Sequence, residues 1–377
     1  WEIWYNLALV NFPIFPQLTN EIIVVPLPVQ SQTEVVPAFF VVFGNTLSLL
    51  CIILKKTHMA NKNTFNPDLF GYNHEDNMPV FGLENRRYLG CKEKLAERIL
   101  SIINNEAQGA HSFFDIFAGT GAIGRKALEY YPEVIFNDFL CSNVVSFKAF
   151  FADGELNEER VQDFIREMNN VDASSLDDNY CSHYYGNKYF GMAAAKKIGY
   201  IRDEIERRKN EFSEKEYFVL VASLIYSADR IANTTGQFEA YRKNPARFKD
   251  LDMRMVDAKC YKGVKIYNED ANVLARRVKC DIVYMDPPYN SRQYCSMYHV
   301  LEILAKWDKP QLYRDTAKPL HLDNKSDFCK NDAIKAFTDL VTHVDARYIA
   351  VSYSNTYDAK SKTSNNKMTL EEIRQIL

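Results

Sequence analysis

The apolar positions of this chain change period several times along its length, and each change marks an element. Between Lys92 and Asn104, residues Leu95, Ile99, Ile102 and Ile103 recur at i, i+4, i+7 and i+8, which gathers them on one helical face. Ser112 to Phe117 is instead a short unbroken apolar run entering Ala118-Gly119-Thr120-Gly121, which predicts a buried strand closed by a tight turn. A helix follows to about Tyr131, and Val134 to Phe136 predicts a second buried strand ending at Asn137 and Asp138. Strand, helix and strand at this spacing make a parallel crossover.

From Cys141 to Lys262 the strand rhythm disappears. Val161, Phe164, Ile165 and Met168 share one helical face, and Tyr217, Val221, Leu224, Ile225 and Ala228 share another, so the block reads as mainly helical. Strands return at Val264 to Tyr267, Asp281 to Met285 and Tyr348 to Ser352, the last after a helical stretch from Asn331 to Val344. The expected architecture is one parallel α/β sheet, built from residues 59–140 and 263–377 and interrupted by a helical insertion over 141–262.

Residues 1–58 stand apart from this pattern. Pro37 to Leu54 is an apolar stretch of 18 residues, at the lower margin for a membrane span, but it contains Gly44, Asn45, Thr46 and Ser48. No basic region followed by an apolar core and a small-residue cleavage site opens the chain, which argues against a signal peptide. Met59 is the expected functional start, with the preceding segment dispensable and no membrane anchor. At the other end Thr369 is placed to cap a helix, with Glu371 and Glu372 behind it, and the chain is expected to be truncated after Leu377.

Composition adds two constraints. The net charge is -3, so any contact with a polyanion must come from a local basic surface. Tyr241 to Lys262 offers one, with seven basic residues against three acidic ones, although a solvated basic face would read the same. The eight cysteines (Cys51, Cys91, Cys141, Cys181, Cys260, Cys280, Cys295 and Cys329) show no C-x-x-C pair and no zinc-ligand spacing. They are expected to be reduced thiols of a cytoplasmic protein, with no metal site.

Chemistry concentrates where strands end. Asp286-Pro287-Pro288-Tyr289 directly follows the strand Asp281 to Met285. The two prolines stop the strand and stiffen the backbone, and their carbonyls remain acceptors. The lone pair of an aromatic amine is delocalised into its ring. A carboxylate and a rigid carbonyl accepting its two N–H groups favour the tetrahedral nitrogen that attacks a methyl donor in line. Asp286 and the Pro287 carbonyl suit that role, and Tyr289 would stack on a base flipped out of a duplex. Asp115-Ile116-Phe117-Ala118-Gly119-Thr120-Gly121 ends the first strand, and its glycines let a ligand approach the backbone at a helix start. The third glycine of a dinucleotide fingerprint and the Gly-Lys-Ser/Thr of a triphosphate loop are both missing. Asp138, at the end of the next strand, stands where a carboxylate binds ribose hydroxyls.

Taken together, these residues resemble the Dam-type DNA adenine-N6 methyltransferases (alpha group, D-P-P-Y), whose order is F-x-G-x-G, target-recognition insert, then D-P-P-Y. Further stretches match. Arg87-Tyr88-Leu89-Gly90-Cys91-Lys92 resembles the family's Y-x-G-x-K cofactor motif, with Cys91 replacing the usual Gly or Ser. Glu269-Asp270 resembles the acidic position contacting the cofactor's adenine. Asn290-Ser291-Arg292-Gln293-Tyr294, followed by Tyr298-His299-Val300-Leu301-Glu302, resembles the segment after D-P-P-Y in one branch. Ser352-Tyr353-Ser354-Asn355 resembles the end of the fifth sheet strand.

The resemblance implies a Rossmann-like sheet binding S-adenosylmethionine through Tyr88, Lys92, Asp115, Phe117, Ala118, Gly119, Gly121, Asp138, Asp270 and Asp286. It implies catalysis by Asp286, Pro287, Pro288 and Tyr289 on adenine in double-stranded DNA, in a restriction-modification system with a cognate endonuclease or as a solitary methylase. The run Ser227 to Gly236 resembles a loop near the DNA in the same branch, which makes Arg230, Asn233, Thr234, Tyr241, Arg242, Lys243, Arg292 and Tyr294 the DNA-binding candidates. His299, behind an aromatic pair, is expected to be packed in place. Activity on RNA, methylation of guanine or cytosine, and an inactive nucleic-acid-binding relative remain open as alternatives.

Overall fold

Neighbouring residues of the buried strands face opposite ways, and that alternation builds two cores on one sheet. Phe113, Val134, Phe136, Ile282 and Tyr284 belong to one core, while Phe114, Ile135, Val283 and Met285 belong to the other. The computed structural model describes residues 19–26, 39–41, 80–243, 245, 247–289, 291–313, 315–355 and 367–377.

Nine strands are described: β1 (Thr19–Pro26), β2 (Phe39–Val41), β3 (Ser112–Asp115), β4 (Glu133–Asn137), β5 (Val264–Tyr267), β6 (Lys279–Met285), β7 (Leu312–Tyr313), β8 (Lys318–Pro319) and β9 (Asp345–Asn355). Seven form a sheet in the order β2-β1-β9-β6-β3-β4-β5. From β9 to β5 every pairing is parallel, whereas β1 runs antiparallel to β9 and to β2. β7 and β8 make a separate two-stranded hairpin.

The α-helices among the described residues are α1 (Ala96–Glu106), α2 (Ala122–Ala127), α3 (Cys141–Phe151), α4 (Glu158–Asn170), α5 (Tyr180–Tyr185), α6 (Met192–Arg207), α7 (Glu214–Ile231), α8 (Ala271–Ala275), α9 (Tyr294–Met297), α10 (His299–Lys306), α11 (Ala333–His343) and α12 (Leu370–Ile376). The first core takes in α1, α3, α4, α6, α7 and α10, and the second takes in α8, α11 and α12. Capping is local and legible: Ser213 with Glu216 opens α7, and Thr369 with Glu372 opens α12, each as a reciprocal capping box.

The predicted strands all form, with ends shifted by a few residues. The block expected to be mainly helical differs in two ways. Its first helix, α3, is the crossover helix after β4 and packs on the sheet core. Its last helix stops at Ile231, and the described residues of 232–263 form neither helix nor extended strand beyond a single bridge, Phe81 to Val256. That segment carries Asn, Thr, Gly and charged residues without a 3.6-residue apolar period, so its backbone groups find partners in loops and side chains instead. Residues 1–58, expected to be dispensable, supply β1 and β2. The apolar stretch Pro37 to Leu54 lies outside the described residues except for Phe39–Val41. Among the described residues no helix is long and apolar enough to cross a membrane.

The chain runs outward from β3 through β4 to β5, then returns to the other side of β3 as β6 and continues to β9. The loops after β3 and β6 therefore diverge, and an open α/β sheet forms its crevice at such a switch.

Candidate active site

A cavity lies at that crevice, and it collects residues from the motifs that follow β3, β4, β5 and β6. Tyr88, Lys92, Asp115, Phe117, Ala118, Gly119, Asp138, Asp270, Asp286, Pro287, Pro288 and Tyr289 all line it, as does Tyr294. Gly121 does not. It caps α2 with φ 83°, and an added Cβ would lie 2.8 Å from the Phe147 ring, so turn and packing both require glycine there. Gly119 also has positive φ, 57°, and a Cβ there would press on the Tyr88 ring at 3.4 Å.

Two carboxylates at the floor each have one oxygen engaged and one without a partner. Lys92 Nζ donates to Asp286 Oδ2 at 2.6 Å, and Asp286 Oδ1 is buried and unsatisfied. The Gly124 N–H donates to Asp115 Oδ2 at 3.0 Å, and Asp115 Oδ1 is likewise buried and unsatisfied. Burial pushes the Asp286 pKa up, with Lys92 holding it back. Burial also raises Asp115 well above the carboxylate range, reinforced by the Asp286 and Asp138 charges and opposed by the Gly124 hydrogen bond. Burial works to lower Lys92, but the charge and hydrogen bond of Asp286 outweigh it and its pKa is raised. Buried acceptors left open are costly unless a donor arrives. The floor is therefore suited to a ligand bearing N–H groups or positive charge.

Asp138 also lines the cavity and holds the turns beside it. Its Oδ2 accepts from the Gly119 N–H and its Oδ1 from the Leu140 N–H, both at 2.8 Å, and burial raises its pKa to about 6. Asp270 caps α8, accepting from the Asn272 and Val273 N–H groups at 2.9 and 3.2 Å.

Several residues that build the site carry no motif of their own. Asn137 ties three strand ends together: its Nδ2 donates to the carbonyls of Ile116 and Glu269, and its Oδ1 accepts from the Glu269 N–H. Glu302 on α10 accepts from the Cys141 and Ser142 N–H groups at the start of α3 and from Asn324 Nδ2. Buried Arg86 donates to Ser142 Oγ and Asn143 Oδ1, and its guanidinium lies 5.8 and 5.9 Å from the ring centres of Tyr88 and Tyr298. Tyr88 stacks on Tyr298 at 4.8 Å and on Tyr294 at 5.4 Å. An arginine two residues ahead of Tyr88, and aromatics repeating after D-P-P-Y, mark Arg86, Tyr294 and Tyr298 in the sequence, but not the partners they meet.

Of the other DNA-binding candidates, Arg230, Arg242 and Lys243 are exposed. Tyr241 packs edge-on against Tyr189. Asn233 Nδ2 donates to the Lys188 and Arg242 carbonyls, Thr234 is buried, and Arg292 pairs with Glu239. His299 does not line the cavity. Its two ring nitrogens face the carbonyls of Ser296 and Thr316, and burial lowers its pKa to about 4.

The family model described as D12 class N6 adenine-specific DNA methyltransferase matches residues 88–368. Type II methyltransferase M.FokI of Planomicrobium okeanokoites is 33% identical over 310 residues, covering 77% of this chain and 46% of that protein. Modification methylase StsI of Streptococcus sanguinis is 33% identical over 287 residues, covering 71% of this chain and 44% of that protein. Type II methyltransferase M.NlaIII of Neisseria lactamica is also 33% identical, over 285 residues covering 71% of this chain and 83% of its own length. The chain thus spans less than half of the first two relatives and most of the third. With the family match running from the tyrosine of the first cofactor motif to beyond β9, the chain belongs to the D12 class of N6 adenine-specific DNA methyltransferases.

Proposed function

We propose that the chain transfers a methyl group from S-adenosylmethionine to the N6 amine of adenine at a short site in duplex DNA, either beside a cognate restriction endonuclease or as a solitary methylase. The observation that carries this reading is Asp286, buried at the cavity floor with one oxygen held by Lys92 and the other open. The donor set suits the cofactor: the open oxygens of Asp115 and Asp286 answer a ligand with an ammonium and a positive sulfur, and Asp138 and Asp270 answer hydroxyl and amine donors. Bound there, S-adenosylmethionine supplies a methyl group activated by its sulfonium.

The residues of the chain supply the rest. Lys92 fixes the Asp286 carboxylate, so that Oδ1 and the Pro287 carbonyl accept the two N–H groups of the target amine and direct its lone pair at the methyl carbon. The amine nitrogen would take up the methyl group with the sulfur as leaving group, and one amine proton would leave to solvent. Tyr289 stacks on the extruded base. The test is tritiated methyl transfer to mixed genomic DNA and to RNA, followed by nucleoside mass analysis, and N6-methyladenine in DNA is expected. Asp286→Ala should lose transfer by about a hundredfold or more while still binding DNA, because it removes a preorganised acceptor where charge develops. Unchanged transfer by this variant would overturn the mechanism. Product in RNA alone, or methylated guanine or cytosine, would overturn the substrate.

A further inference from the structure

Residues 233–242 form a closed loop beside the cavity: the Arg242 N–H donates to the Asn233 carbonyl at 3.3 Å, and Asn233 Nδ2 donates back to the Arg242 carbonyl at 2.8 Å. Phe238 anchors the loop from within. It is fully buried, its N–H donates to the Met297 carbonyl at 2.6 Å, and its own carbonyl accepts from the Tyr189 hydroxyl at 2.7 Å. This anchoring delivers the next residue, Glu239, against α9 and the β7-β8 hairpin. Its carboxylate meets Arg292 Nη2 at 3.1 Å, Ser296 Oγ at 3.3 Å and Lys318 Nζ at 3.4 Å, and Lys318 also donates to Ser296 Oγ at 2.8 Å. Two cations from different elements thus converge on one carboxylate. Arg292 directly precedes Gln293 and Tyr294, which line the cavity.

The side chains of Arg292, Glu239 and Lys318 are 34%, 31% and 23% exposed, so solvent and solutes reach the cluster. Ion pairs exposed to this extent are weak and open to exchange. A carboxylate and a phosphodiester each carry a single negative charge and offer two oxygens to a guanidinium fork, so one can take the place of the other. We propose that Glu239, Arg292, Ser296 and Lys318 form a phosphodiester-binding site in which the Glu239 carboxylate holds the place of a backbone phosphate until DNA displaces it. The inference rests on the DNA reading above and adds to it a specific anchor for the strand beside the cavity. It also accounts for an acidic residue in this loop, since Glu239 keeps Arg292 and Lys318 preset and reduces binding to non-target polyanions.

The test measures binding of a short fluorescently labelled duplex of random sequence to the full chain, over a series of salt concentrations. Arg292→Gln and Lys318→Gln should each weaken binding and reduce the slope of log affinity against log salt by about one. Glu239→Gln should do the opposite, binding the duplex several-fold more tightly at low salt with a steeper slope. S-adenosylhomocysteine affinity and the melting temperature serve as controls for folding. Unchanged or weaker duplex binding by a folded Glu239→Gln would overturn the placeholder role, and an unchanged slope in both cation variants would remove the phosphate site whether or not Glu239→Gln folds. A wild-type chain that binds no duplex at low salt would instead overturn the DNA reading beneath it.

Discussion

Asp138 shows how one side chain serves both the loop it holds and the ligand it faces. Its two oxygens accept the Gly119 and Leu140 N–H groups, which fixes the glycine turn against the end of β4. Its pKa, raised by burial to about 6, means the folded protein holds this proton more tightly than the unfolded chain. The sign follows from linkage: the group disfavours the cofactor-free fold above about pH 6, and that penalty is relieved as pH falls towards the ordinary carboxylate range. Ligand affinity moves the other way, because ribose hydroxyls are bound by the ionised acceptor. S-adenosylhomocysteine affinity should therefore fall as pH is lowered through about 6, and Asp138→Asn should flatten that dependence. Titration calorimetry across roughly pH 5 to 8 checks both, and a flat wild-type profile would rule out Asp138 as a ligand acceptor.

The elements differ in how much of themselves they announce. β3, β4, β6 and β9 are legible in the sequence because a strand buried on both faces must be an apolar run, and the edge strand β5 because Val264 and Ile266 alternate with exposed Lys265, while the strand ends carry the turn and acidic residues that chemistry needs. The capping box of α12 is legible because it is local. The supports of the site are not. Arg86 reaches Ser142 and Asn143, and Glu302 reaches back to Cys141, so these contacts depend on topology that no local pattern encodes. The irregular run after α7 reads as helix only when the strong period before it is extended beyond its last apolar position. Packing between elements also makes a prediction that sequence alone does not. Gly124 sits in α2 where an added Cβ would run into the ring of Phe136 on β4. Gly124→Ala should destabilise the fold by about 1–3 kcal/mol, in spite of alanine's better helix propensity, because overpacking outweighs it. Urea unfolding measures this, and a neutral or stabilising result would mean that α2 can move off the sheet without loss.

At the scale of the whole molecule the sheet separates chemistry from closure. The cavity is lined by the segment Tyr88 to Lys92 ahead of α1, by the segments that follow β3, β4, β5 and β6, and by residues between β8 and α11, whereas β1 and β2 lie on the far side of β9. β1 pairs with β9 along its whole length, from Thr19 opposite Asn355 to Pro26 opposite Tyr348. Without it, β9 would become an edge strand with a row of unpaired N–H and C=O groups and apolar Ile349, Ala350 and Val351 between them, a template for pairing with another chain. Deleting residues 1–58 should accordingly leave S-adenosylhomocysteine affinity unchanged, since among the described residues none that lines the cavity precedes Tyr88. The deleted protein should also self-associate with rising concentration. Calorimetry reads the first outcome and sedimentation velocity over a concentration series reads the second. A deleted chain that stays monomeric and soluble would show the segment to be dispensable, with the edge of β9 needing no cover from it. Loss of cofactor affinity in a folded monomer would instead mean that β1 holds β9, and through it the Asp286 loop at the end of neighbouring β6, in register.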